Sequence, residues 1–125
     1  MFSHVNVGAN DLARAARFYD AFFAPLGIAR AFESAQVIGW ARAGEAGKFY
    51  VGTPFDRQRA TTGNGWMCAF RAPSRDAVTQ AYEAALANGG TGEGAPGPRP
   101  QYAPDYFGAY VRDPEGNKLH VVHRG

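Results

Sequence analysis

Two short stretches decide the reading of this chain: Lys48-Phe49-Tyr50-Val51 and Lys118-Leu119-His120-Val121. In each, apolar residues alternate with a residue of different character, the two-residue period of a strand with unlike faces. They stand 70 residues apart, and the same offset sets Trp40-Ala41-Arg42 against Tyr110-Val111-Arg112. Earlier in the two halves the offset is 63, which lays Asp11 on Ser74, Tyr19 on Tyr82, Val5 on Cys68 and Val7 on Phe70. The difference fits the Gly/Pro-rich insertion Gly92-Glu93-Gly94-Ala95-Pro96-Gly97-Pro98-Arg99-Pro100. One pattern is written twice.

Working outward, each half contains one helix. The first opens at Asp11, a good N-cap, and carries Leu12, Ala15, Ala16, Tyr19, Phe22, Phe23 and Leu26 at helical spacing before Pro25-Leu26-Gly27 ends it. The second opens at Ser74, with Asp76 near the positive end of its dipole. Its stripe is Val78, Ala81, Tyr82, Ala85 and Leu86, and Asn88-Gly89-Gly90 closes it. The remaining apolar runs read as strands at residues 2–8, 27–33, 36–42, 47–52, 66–71, 90–95, 106–112 and 117–123. The expected architecture is α+β: tandem βαβββ modules, residues 1–60 and 65–125, forming a curved mixed-sheet cup within a single domain of 125 residues.

Composition narrows the partners. Thirteen basic and eleven acidic residues leave a net charge of +2 without a basic run, so no nucleic-acid surface is expected. No apolar stretch is long enough for a membrane helix, and no basic and apolar leader opens the chain, so a cytoplasmic protein is expected. The one cysteine, Cys68, forbids an internal disulfide and lies between Met67 and Ala69 with no activating group, so it reads as a packed thiol.

Alternation then assigns faces. Val5 and Val7 belong under the first helix, leaving His4 and Asn6 on the other side; by the repeat, Cys68 and Phe70 face the second helix and Met67 faces away. Leu119 and Val121 point to the helix and His120 away, as Phe49 and Val51 do against Tyr50. His123 falls on the helix side, in a surface or capping role. Four equivalent positions, His4, Tyr50, Met67 and His120, therefore project onto the helix-free face. Two such faces curved together enclose a cavity.

With these residues in hand, the chain resembles the vicinal oxygen chelate superfamily, the glyoxalase, bleomycin-resistance and extradiol dioxygenase group, over almost its whole length. His4-Val5 followed by Asp11-Leu12-Ala13-Arg14-Ala15-Ala16-Arg17-Phe18-Tyr19 resembles the opening strand and "DLxRAxxFY" helix of that group. Gly63-Asn64-Gly65 precedes a strand, and Tyr102 through Tyr106 leads into Asp113-Pro114-Glu115-Gly116-Asn117-Lys118-Leu119, similar to the group's "DPDGNxxE" ending. The resemblance implies a divalent metal at the bottom of the cup, held from the four positions above by His and Glu. Here His4 matches, Met67 stands for a His, His120 for a Glu, and Tyr50 is a poor ligand unless deprotonated.

That departure has chemical consequences. An electrophilic metal wants imidazole or carboxylate donors, usually three, and an open place for substrate. Two His and a thioether supply no anionic charge, and favour a soft ion such as Cu(I) if any. The carboxylate base of the group's isomerases is missing too, which argues against the glyoxalase I reaction and, for want of a two-His-one-carboxylate set, against extradiol cleavage.

Two functions remain from different classes. One is a metal-free binding protein of the bleomycin-resistance kind, holding a small aromatic or amphipathic molecule through His4, Trp40, Tyr50, Met67, Arg99, Tyr102, Tyr110 and His120, with Phe55, Trp66 and Tyr106 among the other cup aromatics. In it Arg99 pairs with a ligand carboxylate or phosphate, and the segments 53–65 and 91–105 form rims. The other is a lyase or isomerase using a divalent metal (Zn, Ni, Fe or Mn) held by His4 and His120. A homodimer is expected for either, because each module leaves an open sheet edge. Whether one chain or two completes the cup stays open.

Overall fold

A computed structural model describes all 125 residues. The chain runs β1 (His4–Gly8), α1 (Leu12–Phe23), a 3₁₀ turn (Ala24–Leu26), β2 (Ile28–Glu33), β3 (Val37–Arg42) and β4 (Lys48–Gly52). It then repeats the order with β5 (Cys68–Arg71), α2 (Arg75–Ala87), β6 (Thr91–Pro98), β7 (Tyr106–Arg112) and β8 (Lys118–Arg124). The strands make two four-stranded sheets, ordered β1-β4-β3-β2 and β5-β8-β7-β6. In each, the first strand pairs parallel with the last and the other pairings are antiparallel. The α+β class and the duplicated βαβββ order are those expected from the sequence.

Local chemistry sets the helix limits. The Asp11 side chain accepts from the Arg14 N–H and the Ser74 side chain from the Ala77 N–H, each satisfying an orphan donor of a first turn. Pro25 sits in the 3₁₀ turn after α1, and Gly27 leaves it with φ +72°, a conformation costly for any residue with a Cβ.

The two halves share one core. Phe18, Tyr19, Phe22 and Phe23 of α1 are fully buried, with Val78, Ala81 and Ala85 of α2 beside them in the same cluster. Phe23 meets Trp40, Phe49 and Phe70 at ring-centroid distances of 5.9, 5.6 and 5.0 Å. Phe49 of β4 also lies edge-on to Phe70 of β5 at 5.1 Å, so aromatic packing carries the core from one sheet to the other.

A polar clasp closes the same junction. The Tyr19 hydroxyl donates to Asp113 Oδ2 at 2.6 Å, and Asn117 donates to Asp113 through its main chain and its side-chain amide. Glu115, in the same turn, accepts from the Asn10 main chain and side chain and from Arg14 at 2.7 Å. The Asp113–Asn117 turn of the second half is thereby pinned to the N-terminus of α1. Asn10 also holds Ala60 by a reciprocal pair of bonds, which fastens the β4–β5 loop.

Three expectations need correction. Trp40, expected in the cup, lies on the helix face, 1% exposed, against Tyr19 and Phe23, with its indole N–H donating to Asp20. The cause is register. Tyr50 pairs with Gly39, whereas its counterpart His120 pairs with Tyr110, so the β3–β4 hairpin carries one residue more than β7–β8. Trp40 thus corresponds to Val111, and a one-residue slip moves a strand side chain to the opposite face. Second, the segment expected as a rim from 91 to 105 is strand as far as Pro98. Its glycines and prolines are accommodated by register shifts between Gly92 and Gly94 and between Gly94 and Gly97. Third, Met67 lies one residue before β5 rather than within it.

Candidate functional site

Alternation along β7 and β8 places Tyr106, Gly108, Tyr110 and Arg112 with Lys118, His120, Val122 and Arg124 on the face turned away from α2. His120 is the centre of this wall and is 1% exposed. Its ring stacks on Tyr110, the residue directly opposite it in register, at 4.0 Å and 13°, and lies parallel to Tyr106 at 5.7 Å. Gly108 makes room for it: a Cβ there would come within 2.6 Å of His120 Cε1. Tyr102, on the loop between β6 and β7, tilts against Tyr106 at 5.1 Å.

The hydrogen bonds fix the state of the imidazole. Its Nδ1 lies 2.8 Å from the Ala109 carbonyl, which can only accept, so Nδ1 carries the proton. Nε2 is therefore an acceptor, and the Tyr106 hydroxyl donates to it at 2.6 Å. Burial holds the His120 pKa below the ordinary histidine value; the Ala109 carbonyl opposes this and the Arg99 and Lys118 charges reinforce it. Burial, with the neighbouring Tyr102 hydroxyl, pushes the Tyr110 phenol up to about 12.

A cavity of about 500 Å³ opens on this wall, lined by Met67, Gln101, Tyr102, Tyr106, Tyr110 and Arg124. Arg99 does not reach into it freely. Its guanidinium donates to the carbonyls of Ala95, Gly97 and Pro98, and its charge lies 5.7 Å from the Tyr110 ring centroid. Met67 and Tyr102 are 42% and 59% exposed, so the mouth is open.

His4 and Tyr50 make a separate pair on the first sheet, edge to face at 5.5 Å, with Ser3 Oγ 2.9 Å from His4 Nδ1. The Tyr50 ring lies over Gly39, where a Cβ would come within 2.6 Å of it. Of the expected site, Met67, Tyr102, Tyr110 and His120 come together, with Arg99 at the edge; His4 and Tyr50 meet each other, and Trp40 is in the core. Phe55 lies on a second cavity of about 580 Å³ formed with the β4–β5 loop, and Trp66 packs against the core. His123 sits half-buried with its Nδ1 donating to the Ala72 carbonyl, between β5 and α2.

The donors do not fit the divalent metal implied by the resemblance. Both nitrogens of His120 are engaged, one as a donor, so coordination requires breaking the Tyr106 bond. No group of three or more His, Cys, Asp and Glu side chains is placed to share an ion. Lys118 and Arg124 of this wall escaped sequence reasoning; their even-numbered alternation with His120 along β8 was the signal that marks them.

Comparison with known proteins agrees with this architecture. Residues 1–121 match the family model described as the Glyoxalase/Bleomycin resistance protein/Dioxygenase superfamily. A glyoxalase/bleomycin resistance protein from Albidiferax ferrireducens T118 is 41% identical, with a TM-score of 0.89 over 100% of this chain and 99% of that one. A glyoxalase-related enzyme from Fulvimarina pelagi (21% identity, TM-score 0.75, 99% and 88% covered) and a family enzyme from Burkholderia phytofirmans PsJN (18%, 0.74, 98% and 98%) share the fold. Among curated proteins no match is found. Duplicated modules, shared core and these likenesses lead to one conclusion: the chain belongs to the glyoxalase/bleomycin resistance protein/dioxygenase superfamily.

Proposed function

We propose that this protein binds a small aromatic or amphipathic organic molecule on the tyrosine wall of its second sheet, without a metal. The observation that carries the reading is the state of His120. Its imidazole is stacked on Tyr110 and bonded through both nitrogens, so it serves as a rigid part of an aromatic surface. Tyr102, Tyr106 and Tyr110 offer ring faces, Met67 a polarisable thioether, and Gln101 and the tyrosine hydroxyls polar anchors, the mixture that small-molecule sites employ. His4 and Tyr50 extend the site where the two sheet faces meet a common ligand. The reading also has the protein as a cytoplasmic homodimer, since β1, β2, β5 and β6 are all sheet-edge strands. No helix is long and apolar enough to cross a membrane.

The test is a calorimetric titration with 2-naphthamide, a neutral planar probe, alongside elemental analysis of dialysed protein. Binding that is unchanged by EDTA and abolished in Tyr110→Ala supports the reading. Stoichiometric zinc, nickel, iron or manganese with EDTA-sensitive binding overturns it in favour of a metal-dependent lyase or isomerase.

A further inference from the structure

The wall carries an unbalanced charge. Arg124 lies with its guanidinium carbon 4.9 Å from the Tyr106 ring centroid, and Lys118 Nζ and Arg99 lie 5.3 and 5.7 Å from that of Tyr110. None of the three forms an ion pair; the only carboxylate bonded to a cation of this wall is Glu93, on Arg112. His120 among them is neutral and held so, in part by repulsion from Arg99 and Lys118. The wall thus offers aromatic surface and three cations that form no ion pair, with Glu93, paired to Arg112, the one carboxylate near Lys118. The geometry points to an anionic ligand: we infer that the molecule taken here is a planar conjugated carboxylate, its ring on the exposed Tyr102 and against the edge of Tyr110, and its charge met by Arg124 and Lys118.

The physical case rests on where each cation stands. A cation above a ring face gains from the ring's negative quadrupole and keeps its outer side free for an anion. Arg124 presents a planar fork that fits a carboxylate with two parallel bonds, whereas Lys118 acts as a mobile point charge. Arg99 is tied to three carbonyls and contributes field rather than contact. A cationic ligand of the same shape meets like charge from all three sides. The inference deepens the proposed function and rests on the tyrosine wall being the ligand site.

Three isosteric probes separate the two claims: 2-naphthoate, neutral 2-naphthamide and cationic 2-naphthylmethylammonium, titrated calorimetrically into the full chain at low salt. The expected order is naphthoate over naphthamide by about tenfold, with the cation weakest. Arg124→Gln and Lys118→Met should each reduce that preference several-fold, and the far-UV circular dichroism and urea midpoint of each variant, unchanged from the parent, show that it is folded. Equal affinity for naphthoate and naphthamide, both lost in Tyr110→Ala, overturns the charge inference and leaves the site standing. Binding that survives Tyr110→Ala, or no binding of any probe, overturns the site and the inference with it. A naphthoate preference unmoved by both charge variants overturns the assignment to Arg124 and Lys118.

Discussion

The Tyr106 hydroxyl donates to Nε2 of His120 across 2.6 Å, with both rings parallel and both residues buried. Tyr106 lies four residues from Tyr110 along β7, on the same face, so the two tyrosines bracket the imidazole from one strand. Replacing Tyr106 by Phe keeps the ring and removes the donor. Nε2 is then left buried without a partner, at a cost of about 1–3 kcal/mol. The bond favours neutral imidazole, so its loss should raise the His120 pKa. Urea unfolding and the histidine ring resonances in a pH titration check the two effects; an unchanged pKa would show that the hydroxyl does not hold the tautomer.

His120 also gives stability a pH dependence. Its folded pKa lies below the ordinary value of 6.5, so between those values the unfolded chain binds more protons than the folded one. The contribution is full above about pH 6.5 and is lost as the pH falls through the folded value. The urea midpoint should therefore drop between about pH 7 and the folded pKa. A His120→Gln variant should be less stable throughout but flatter over that window.

Tyr19 and Asp113 make the second buried pair worth testing. Burial, and then the Asp113 carboxylate beside it, raise the Tyr19 phenol well above its ordinary pKa. Tyr19→Phe deletes the 2.6 Å bond and leaves one Asp113 oxygen with the Asn117 amide alone. A bond to a charged group contributes about 1.5–3 kcal/mol, and the variant should lose that much in chemical denaturation. An effect near zero would mean the clasp between the halves is held by Glu115 and its partners instead.

Cys68 should be slow to react. Burial pushes its thiol from 9.0 up to about 11, so near neutral pH its thiolate population is about a hundredfold below that of an unperturbed cysteine. Alkylation by iodoacetamide should be slower than for the urea-unfolded chain by about that factor. A rate equal to the unfolded one would show that β5 opens readily.

Much of this was legible beforehand for a simple reason: alternation within a strand is local. The faces of Val5, Phe49, Cys68 and Leu119 follow from their own neighbours, and all four pack towards the helices. The helix limits at Asp11 and Ser74 are local in the same sense. Trp40 is the instructive exception. Set against Tyr110 at the 70-residue offset and counted among the cup aromatics, it lies instead on the helix face, because the β3–β4 hairpin has one residue more than β7–β8.

By itself the sequence determined the duplicated βαβββ order and the two apolar helix stripes, because each is a property of residues near one another along the chain. Tertiary structure alone decided that Tyr106 and Tyr110 enclose His120, that Arg124 and Lys118 bring charge to those rings, and that His4 and Tyr50 meet on the other sheet. Those relations depend on cross-strand register and on ring orientation. Both are set by packing between segments far apart in sequence, where a one-residue slip reverses which side chains meet.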